Sequence, residues 1–289
     1  MDINITPQQK VIDYFTKKES RWGYSLFLKG IKHFGYYPES KEKLSMAEAQ
    51  RLMVEKLHEK LDLETNSLLL DAGCGEGEVA TYLANKYQFR VRGVDLLNFS
   101  IEKAIQKRNH LRLKDKVEFH VMDYANLDFS EEIFDGVYTM ETLVHASDHR
   151  HALKEFHRVL KPNGRLVLFE YSMCPPDNFP PRLRKIAEMV IEESGMHSLP
   201  YFLHGKFPEI LGSLGFTDIS VENITPRIMP MLRKFNFIAW LPYQLIKLLR
   251  LERKFVNATA AVEGYKNLAG NDYCRYNIVV ARKTEQRNK

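Results

Sequence analysis

An open α/β sheet, with parallel strands joined by crossover helices, is the fold this sequence predicts, and three observations carry the prediction. Between residues 67 and 169 short apolar runs alternate with stretches of helical spacing. A glycine-rich segment follows the first of those runs, and an acidic residue stands at the end of each of the first three. Such alternation means parallel strands, because a parallel neighbour can be reached only through a long crossover, usually a helix.

Taken in order, strands are expected at 67–70, 90–94, 117–121, 134–139 and 165–169, with helices at 79–87, 99–111 and 151–160 between them. Lys161-Pro162-Asn163-Gly164 is expected to stop a helix and turn the chain into a strand. Ahead of the first strand, about 8–19, 24–33 and 43–61 have helical spacing, the last with Leu44, Ala47, Leu52, Leu57 and Leu61 as its apolar face. Beyond the core, helices are expected at 185–193 and 207–214 and strands at 217–222 and 276–281. The stretch 228–256 reads as apolar and basic helix broken by Pro230 and Pro242. The chain therefore divides into an N-terminal helical lid (1–64), a ligand-binding core (65–170) and a region (171–289) that completes the sheet and carries a cap at about 228–256.

Composition narrows the function classes. With 44% hydrophobic and 27% charged residues in 289, the chain can bury a real core. Its opening MDINITPQQK lacks the basic-then-apolar pattern of a secretory signal, and no run reaches the ~18 apolar residues of a membrane span, so a cytoplasmic protein is expected. Cys74, Cys174 and Cys274 are odd in number and far apart, which speaks against disulfides and structural zinc. The net charge of +5 is local: residues 227–254 hold Arg227, Arg233, Lys234, Lys247, Arg250, Arg253 and Lys254 against Glu252 alone. That distribution disfavours a nucleic-acid partner and points to one basic element.

The glycine loop reads Leu68-Leu69-Leu70-Asp71-Ala72-Gly73-Cys74-Gly75-Glu76-Gly77. Glycines let a backbone turn tightly and approach a ligand that any Cβ would exclude. The acid precedes the glycines, and the third glycine comes four residues after the first, so the loop lacks the phosphate-cradling form of a dinucleotide site. Asp95, twenty residues past Gly75, ends the second strand where it can accept two ribose hydroxyls, and Asp123 ends the third where it can accept an exocyclic amine. Each acid alone reads equally well as a helix cap or solvated turn. Together they make one ligand surface.

This arrangement resembles the class I S-adenosylmethionine-dependent methyltransferases, whose first motif, an apolar strand followed by Asp/Glu-x-Gly-x-Gly-x-Gly, it matches in full. The resemblance implies a Rossmann-like seven-stranded methyltransferase sheet, S-adenosylmethionine as cofactor and S-adenosylhomocysteine as product. It also implies Asp71 and Gly73 at the methionine end, Asp95 at the ribose and Asp123 with Tyr124 at the adenine, with Gly75, Gly77, Leu96, Met140 and Tyr36 as further cofactor-binding residues.

After the fourth strand, Tyr138-Thr139-Met140-Glu141-Thr142-Leu143-Val144-His145-Ala146 is similar to the Tyr-Ala-Ile-Glu-Ala-Thr-Cys-His-Ala motif of sterol C-methyltransferases, with Glu141, His145 and Ala146 in register. Tyr24-Ser25 after Arg21-Trp22-Gly23 is similar to that family's Tyr-Gly-Trp-Gly-x-Ser region, and Phe169-Glu170-Tyr171-Ser172-Met173 to its Tyr-Glu-Trp-Cys-Met segment. His33-Phe34-Gly35-Tyr36-Tyr37 is similar to a His-x-Gly-Tyr stretch of small-molecule methyltransferases that closes over the cofactor. Leu143-Val144 stand where the sterol family has Thr-Cys, and Ser147 where it has proline.

That resemblance implies methylation at carbon, on an alkene of an isoprenoid or other apolar natural product, through a carbocation. Glu141 would stabilise the cation and accept the proton, assisted by Glu170 or His145. Trp22, Tyr24, Tyr37 and Tyr171 would line the substrate pocket; Trp22, Tyr36 and Tyr171 would offer π faces worth ~0.5–2 kcal/mol each. Two alternatives stand beside this reading: an O- or N-methyltransferase with His145 as general base, and a cofactor-fold interaction protein. Within the cap, Leu245, Leu248 and Leu249 share one helical face and Lys247, Arg250 and Lys254 another. Three readings are open for it: a lid packed on the core, a grip on an anionic substrate such as a prenyl diphosphate, and a helix lying on a membrane surface. Mg²⁺ would enter only with a diphosphate, and no DDxxD-like cluster assigns a metal site; a homo-oligomer is left open.

Overall fold

A computed structural model describes residues 6–17, 31–39, 43–265 and 271–284. Among these the chain runs α1 (Pro7–Thr16), α2 (Met46–Leu61), β1 (Leu68–Ala72), α3 (Glu78–Tyr87), β2 (Arg90–Asp95), α4 (Asn98–His110), β3 (Val117–Val121), β4 (Phe134–Met140), α5 (His149–Val159) and β5 (Leu160–Met173). It continues through α6 (Pro181–Glu193), α7 (Phe207–Gly212), β6 (Phe216–Asn223), α8 (Thr225–Leu248), α9 (Val256–Thr259) and β7 (Cys274–Lys283).

Seven strands form one sheet in the order β3-β2-β1-β4-β5-β7-β6. The pairs from β3 to β5 are parallel, each joined by a crossover. As β7 advances from Asn277 to Arg282, its side-chain partners on β5 recede from Glu170 to Asn163, so β7 runs antiparallel and the sheet is mixed. The order reverses at β1, and there the ends of β1 and β4 leave the crevice in which open α/β sheets bind ligands. β1 and β4 are buried along almost their whole length, as strands covered on both faces must be, whereas the edge strand β6 is mostly exposed.

The chain forms two compact units. One comprises 53–170, 205–222 and 277–289 and contains most of the sheet; the other comprises 1–52, 171–204 and 223–276. Residues 53–64 thus belong with the sheet, and 205–222 and 277–289 return to it.

Three local expectations are corrected. The tetrapeptide 161–164 does not separate helix from strand but bulges within β5: Leu160 pairs with Phe134 and Arg165 with Gly136, so five steps on β5 match two on β4, and Asn163 takes the left-handed φ of +61°. Helix α2 buries the expected Leu57 and Leu61 and half-buries Leu52, as Leu44 is just ahead of it, but its inner row differs at the N-terminal end. Ser45 and Glu48 form a reciprocal capping box at its start, and Ala49, Met53, Leu57 and Leu61 then follow at every fourth residue with no exposure, while Ala47 points outward. The i, i+4 row wins because it brings the longest run of apolar side chains to one side.

The third correction concerns α8, which continues through Pro230 and Pro242 for 24 residues. An interior proline forfeits one hydrogen bond and costs about 3 kcal/mol, but a buried face can offset that, and Pro230, Met231, Tyr243 and Ile246 are all buried. Tyr243 and Ile246 pack on Val262. The face carrying Leu245, Leu248 and Leu249 is exposed, at 58, 78 and 55%. No described helix is long and apolar enough to cross a membrane.

Candidate functional site

The glycine loop leaves β1 through three left-handed residues, Gly73 (φ +87°), Gly75 (+52°) and Gly77 (+74°). A side chain at Gly73 would meet Thr142 at 2.6 Å, so glycine is needed for close packing there. At Gly75 an added Cβ would meet nothing within 4 Å. That glycine borders open space, as the cradle of a ligand should.

Asp95 ends β2 and braces this loop. Its Oδ2 accepts from Gly75 N at 2.9 Å and its Oδ1 from Leu97 N at 2.9 Å, which fixes the carboxylate at the strand end. Leu96, beside it, is half-buried. Asp123 takes a similar posture beyond β3, where its Oδ1 accepts from Ala125 N at 2.8 Å. Asp71 is 3% exposed, and among the described residues its Oδ2 has no hydrogen-bond partner. Burial pushes its carboxyl up to about 7, and the charge of Asp95 adds to the push. A buried carboxylate, Asp71, beside an open glycine cradle suits the ammonium of an amino-acid moiety, and the Asp95 carboxylate, held at the end of β2, suits a ribose diol. The residues fit S-adenosylmethionine.

The tip of β4 carries the reactive candidates. Glu141 follows Met140, is half-buried, and takes a left-handed φ of +62° that costs a residue with a Cβ about 1–2 kcal/mol. Its amide donates to Phe169 O at 2.9 Å, which holds it in that strain. His145 closes a 3₁₀ turn, Leu143–His145, with its amide on Thr142 O, and is also half-buried. Glu170 is fully buried. Its Oε1 accepts from Thr139 Oγ1 (3.2 Å), Thr142 N (3.0 Å) and Leu143 N (2.7 Å), while its Oε2 has no partner. Burial pushes its carboxyl up to about 8 and the charge of Glu141 adds to that. Expected as a catalytic assistant, Glu170 is enclosed and acts on the 141–145 loop by holding its backbone.

Thr142 was not foreseen. Its hydroxyl donates to Ala72 O at 2.7 Å, its carbonyl accepts from Tyr124 OH at 2.9 Å, its amide bonds Glu170, and its side chain covers Gly73. The signal available in the sequence was only its place between two candidate residues, since a threonine gives no motif. Tyr124, expected at the adenine, is 8% exposed and points its hydroxyl at this node.

In the other unit Tyr36 N donates to Ala49 O at 2.8 Å and Tyr37 N to Arg227 O at 2.9 Å. Tyr37, expected in the pocket wall, is a core side chain 2% exposed, clustered with Ala49 and Met231, and burial raises its hydroxyl to about 12. Tyr171 meets Tyr276 edge-on at 5.3 Å and Phe34 at 6.2 Å, in a three-ring cluster. Trp22 and Tyr24 lie outside the described residues, as does most of the expected helix at 24–33.

A methyltransferase-domain profile matches residues 70–168, the segment holding the loop and all three strand-tip acids. An S-adenosyl-L-methionine-dependent Diels-Alderase of Talaromyces variabilis is 36% identical over 282 residues, 96% of this chain and 95% of that protein. The 27-O-demethylrifamycin SV methyltransferase of Amycolatopsis mediterranei is 32% identical over 209 residues, 72% of each. Among solved structures, the cyclopropane synthase of Mycobacterium tuberculosis superposes with a TM-score of 0.79 at 17% identity, covering 98% of this chain and all of that one, which speaks for the fold.

Proposed function

Because the chain belongs to the class I S-adenosylmethionine-dependent methyltransferases, we propose that it is an enzyme acting at carbon on an apolar, unsaturated natural product. The observation that carries this reading is the strained carboxylate, Glu141, at the tip of the central strand β4. When bound, S-adenosylmethionine supplies an electrophilic methyl group and a fixed positive charge. Asp71, Gly73 and Gly75 would hold its methionine end, Asp95 its ribose and Asp123 its adenine.

An alkene that gains a carbon substituent becomes cationic at the neighbouring carbon, and that charge needs a counter-charge and then a base. Glu141 supplies both, because its neighbour Glu170, buried and titrating near 8, is neutral at pH 7 and leaves a single negative charge at the strand tip. Glu170 keeps the 141–145 loop in place through hydrogen bonds from the Thr142 and Leu143 amides. For Glu141→Gln we expect kcat to fall about 10²–10⁴-fold with the melting temperature and cofactor affinity held. Unchanged turnover in a folded variant removes Glu141 from the mechanism.

A second reading is favoured by the relative that spans nearly the full chain at 36% identity, whose name gives cycloaddition as its reaction. The same site would then polarise a conjugated substrate and close a ring with the methyl group retained. One assay separates the readings: incubation with methyl-labelled cofactor and a panel of apolar polyenes, with products located by NMR. Label on carbon supports methyl transfer, an unlabelled isomer of the substrate supports ring closure, and label on oxygen or nitrogen replaces both with His145 as general base.

A further inference from the structure

We propose that the outer face of α8, with the cleft at its C-terminal end, is a docking surface for an anionic lipid bilayer. From Phe235 to Ile246 the sequence holds twelve residues without a charge. Inward-facing Tyr243 and Ile246 account for one side of that stretch. The opposite side is equally apolar and faces outward: Phe237 is 83% exposed, Leu241 72% and Leu248 78%, with Trp240 and Leu245 more than half exposed beside them. Single exposed apolar side chains are ordinary, but a continuous row over three helical turns marks an interaction surface.

Charge selects the partner. An open cleft of about 690 Å³ beside the end of α8 is lined by the cations Arg182, Lys185, Lys247, Arg250 and Arg253 against one acid, Glu252. Arg182 pairs with Glu263 and Arg253 with Glu192 and Glu193. Lys185, Lys247 and Arg250 have no carboxylate within 4.0 Å among the described residues, and Lys185 stands on α6, so the collar is more than a response to the dipole of α8. A second copy docked face to face would oppose these cations to their equals. A neutral bilayer would accept the apolar row but leave the cations uncompensated. An anionic bilayer satisfies both, with the helix lying in the interface plane, Trp240 at headgroup depth and the cleft over the phosphates.

The test is flotation of the full-length enzyme with vesicles of phosphatidylcholine alone and with about 30% phosphatidylglycerol, at low and high salt. Binding is expected to the anionic vesicles, weakened by salt, with a blue shift of tryptophan emission that Trp240→Phe diminishes. Lys247→Glu and Arg250→Glu should each lower vesicle affinity about five-fold or more, and Leu241→Asp with Leu248→Asp should abolish it. All four positions are exposed, so unchanged circular dichroism and melting are expected to accompany the loss. Failure to float with anionic vesicles overturns the proposal. So does binding that these variants leave intact, or a dimer in light scattering that Leu241→Asp dissociates. None of these readouts depends on which reaction the strand-tip site performs.

Discussion

At the strand tips, unusual backbone is concentrated and braced: Gly73, Gly75 and Glu141 all hold left-handed φ, and hydrogen bonds accepted by Asp95 and Phe169 and donated by Thr142 fix the segments that carry them. Along α8 the departures from local rule are of another kind, two interior prolines and an apolar outer row, and only the inner face of that helix finds compensation within the chain. The difference teaches where each region's stability resides. The loops are held by directed bonds and fail when one atom is misplaced; α8 is held by burial on one side and is indifferent to its other.

The largest effect should come at Gly73. Gly73→Ala adds ~1–2 kcal/mol of φ strain to an overlap with Thr142 that costs ~1–3 kcal/mol more, and it should lower the melting temperature and abolish cofactor binding by calorimetry. Gly75→Ala carries only the backbone penalty, about 1 kcal/mol, because nothing stands within 4 Å of the new Cβ. Its cofactor affinity should nevertheless fall more than ten-fold. Native affinity in that variant would mean the open space is not the cradle.

A smaller and pH-dependent effect is expected at Glu170. Its carboxyl titrates near 8 in the folded chain, against about 4.3 unfolded, so the folded state holds the extra proton across that window. Stability therefore falls as pH rises from about 5 to 8, and Asp71, titrating near 7, contributes in the same direction. Glu170→Gln keeps an acceptor for the three donors and removes that carboxyl's titration. Chemical denaturation at pH 5, 6.5 and 8 should show a shallower decline than in the parent; an equal slope would assign the pH dependence elsewhere.

The smallest effect sharpens the contrast from the other side. Leu248→Ser on α8 should change stability by less than about 0.5 kcal/mol, whereas Leu153→Ala, at a fully buried position of α5, should cost about 2–5 kcal/mol. A loss above 1 kcal/mol for Leu248→Ser would mean that the outer face is packed after all.

The central sheet was legible because period, spacing and glycine chemistry agree there: all eight expected core elements formed, with ends shifted by a few residues. The placement of Asp71, Asp95 and Asp123 near the ends of the first three strands was legible for the same reason. The bulge at 161–164 was not, because Pro-Asn-Gly punctuates a chain without saying whether the strand resumes the same ladder. The unbroken course of α8 was hidden because proline's local cost is visible in sequence and the tertiary burial that outweighs it is not. Thr142 escaped notice because its role is made of contacts to four distant residues, Ala72, Tyr124, Glu170 and Gly73, none encoded by spacing.

That single threonine makes the crevice mechanically one piece. Since its hydroxyl and methyl engage the end of β1, its carbonyl Tyr124 beyond β3 and its amide Glu170 on β5, the glycine turn cannot loosen without disturbing the segment that presents Glu141. Ligand arrival at the first should stiffen the second, so slowed amide exchange at Thr142 and Leu143 would report occupancy of the glycine cradle.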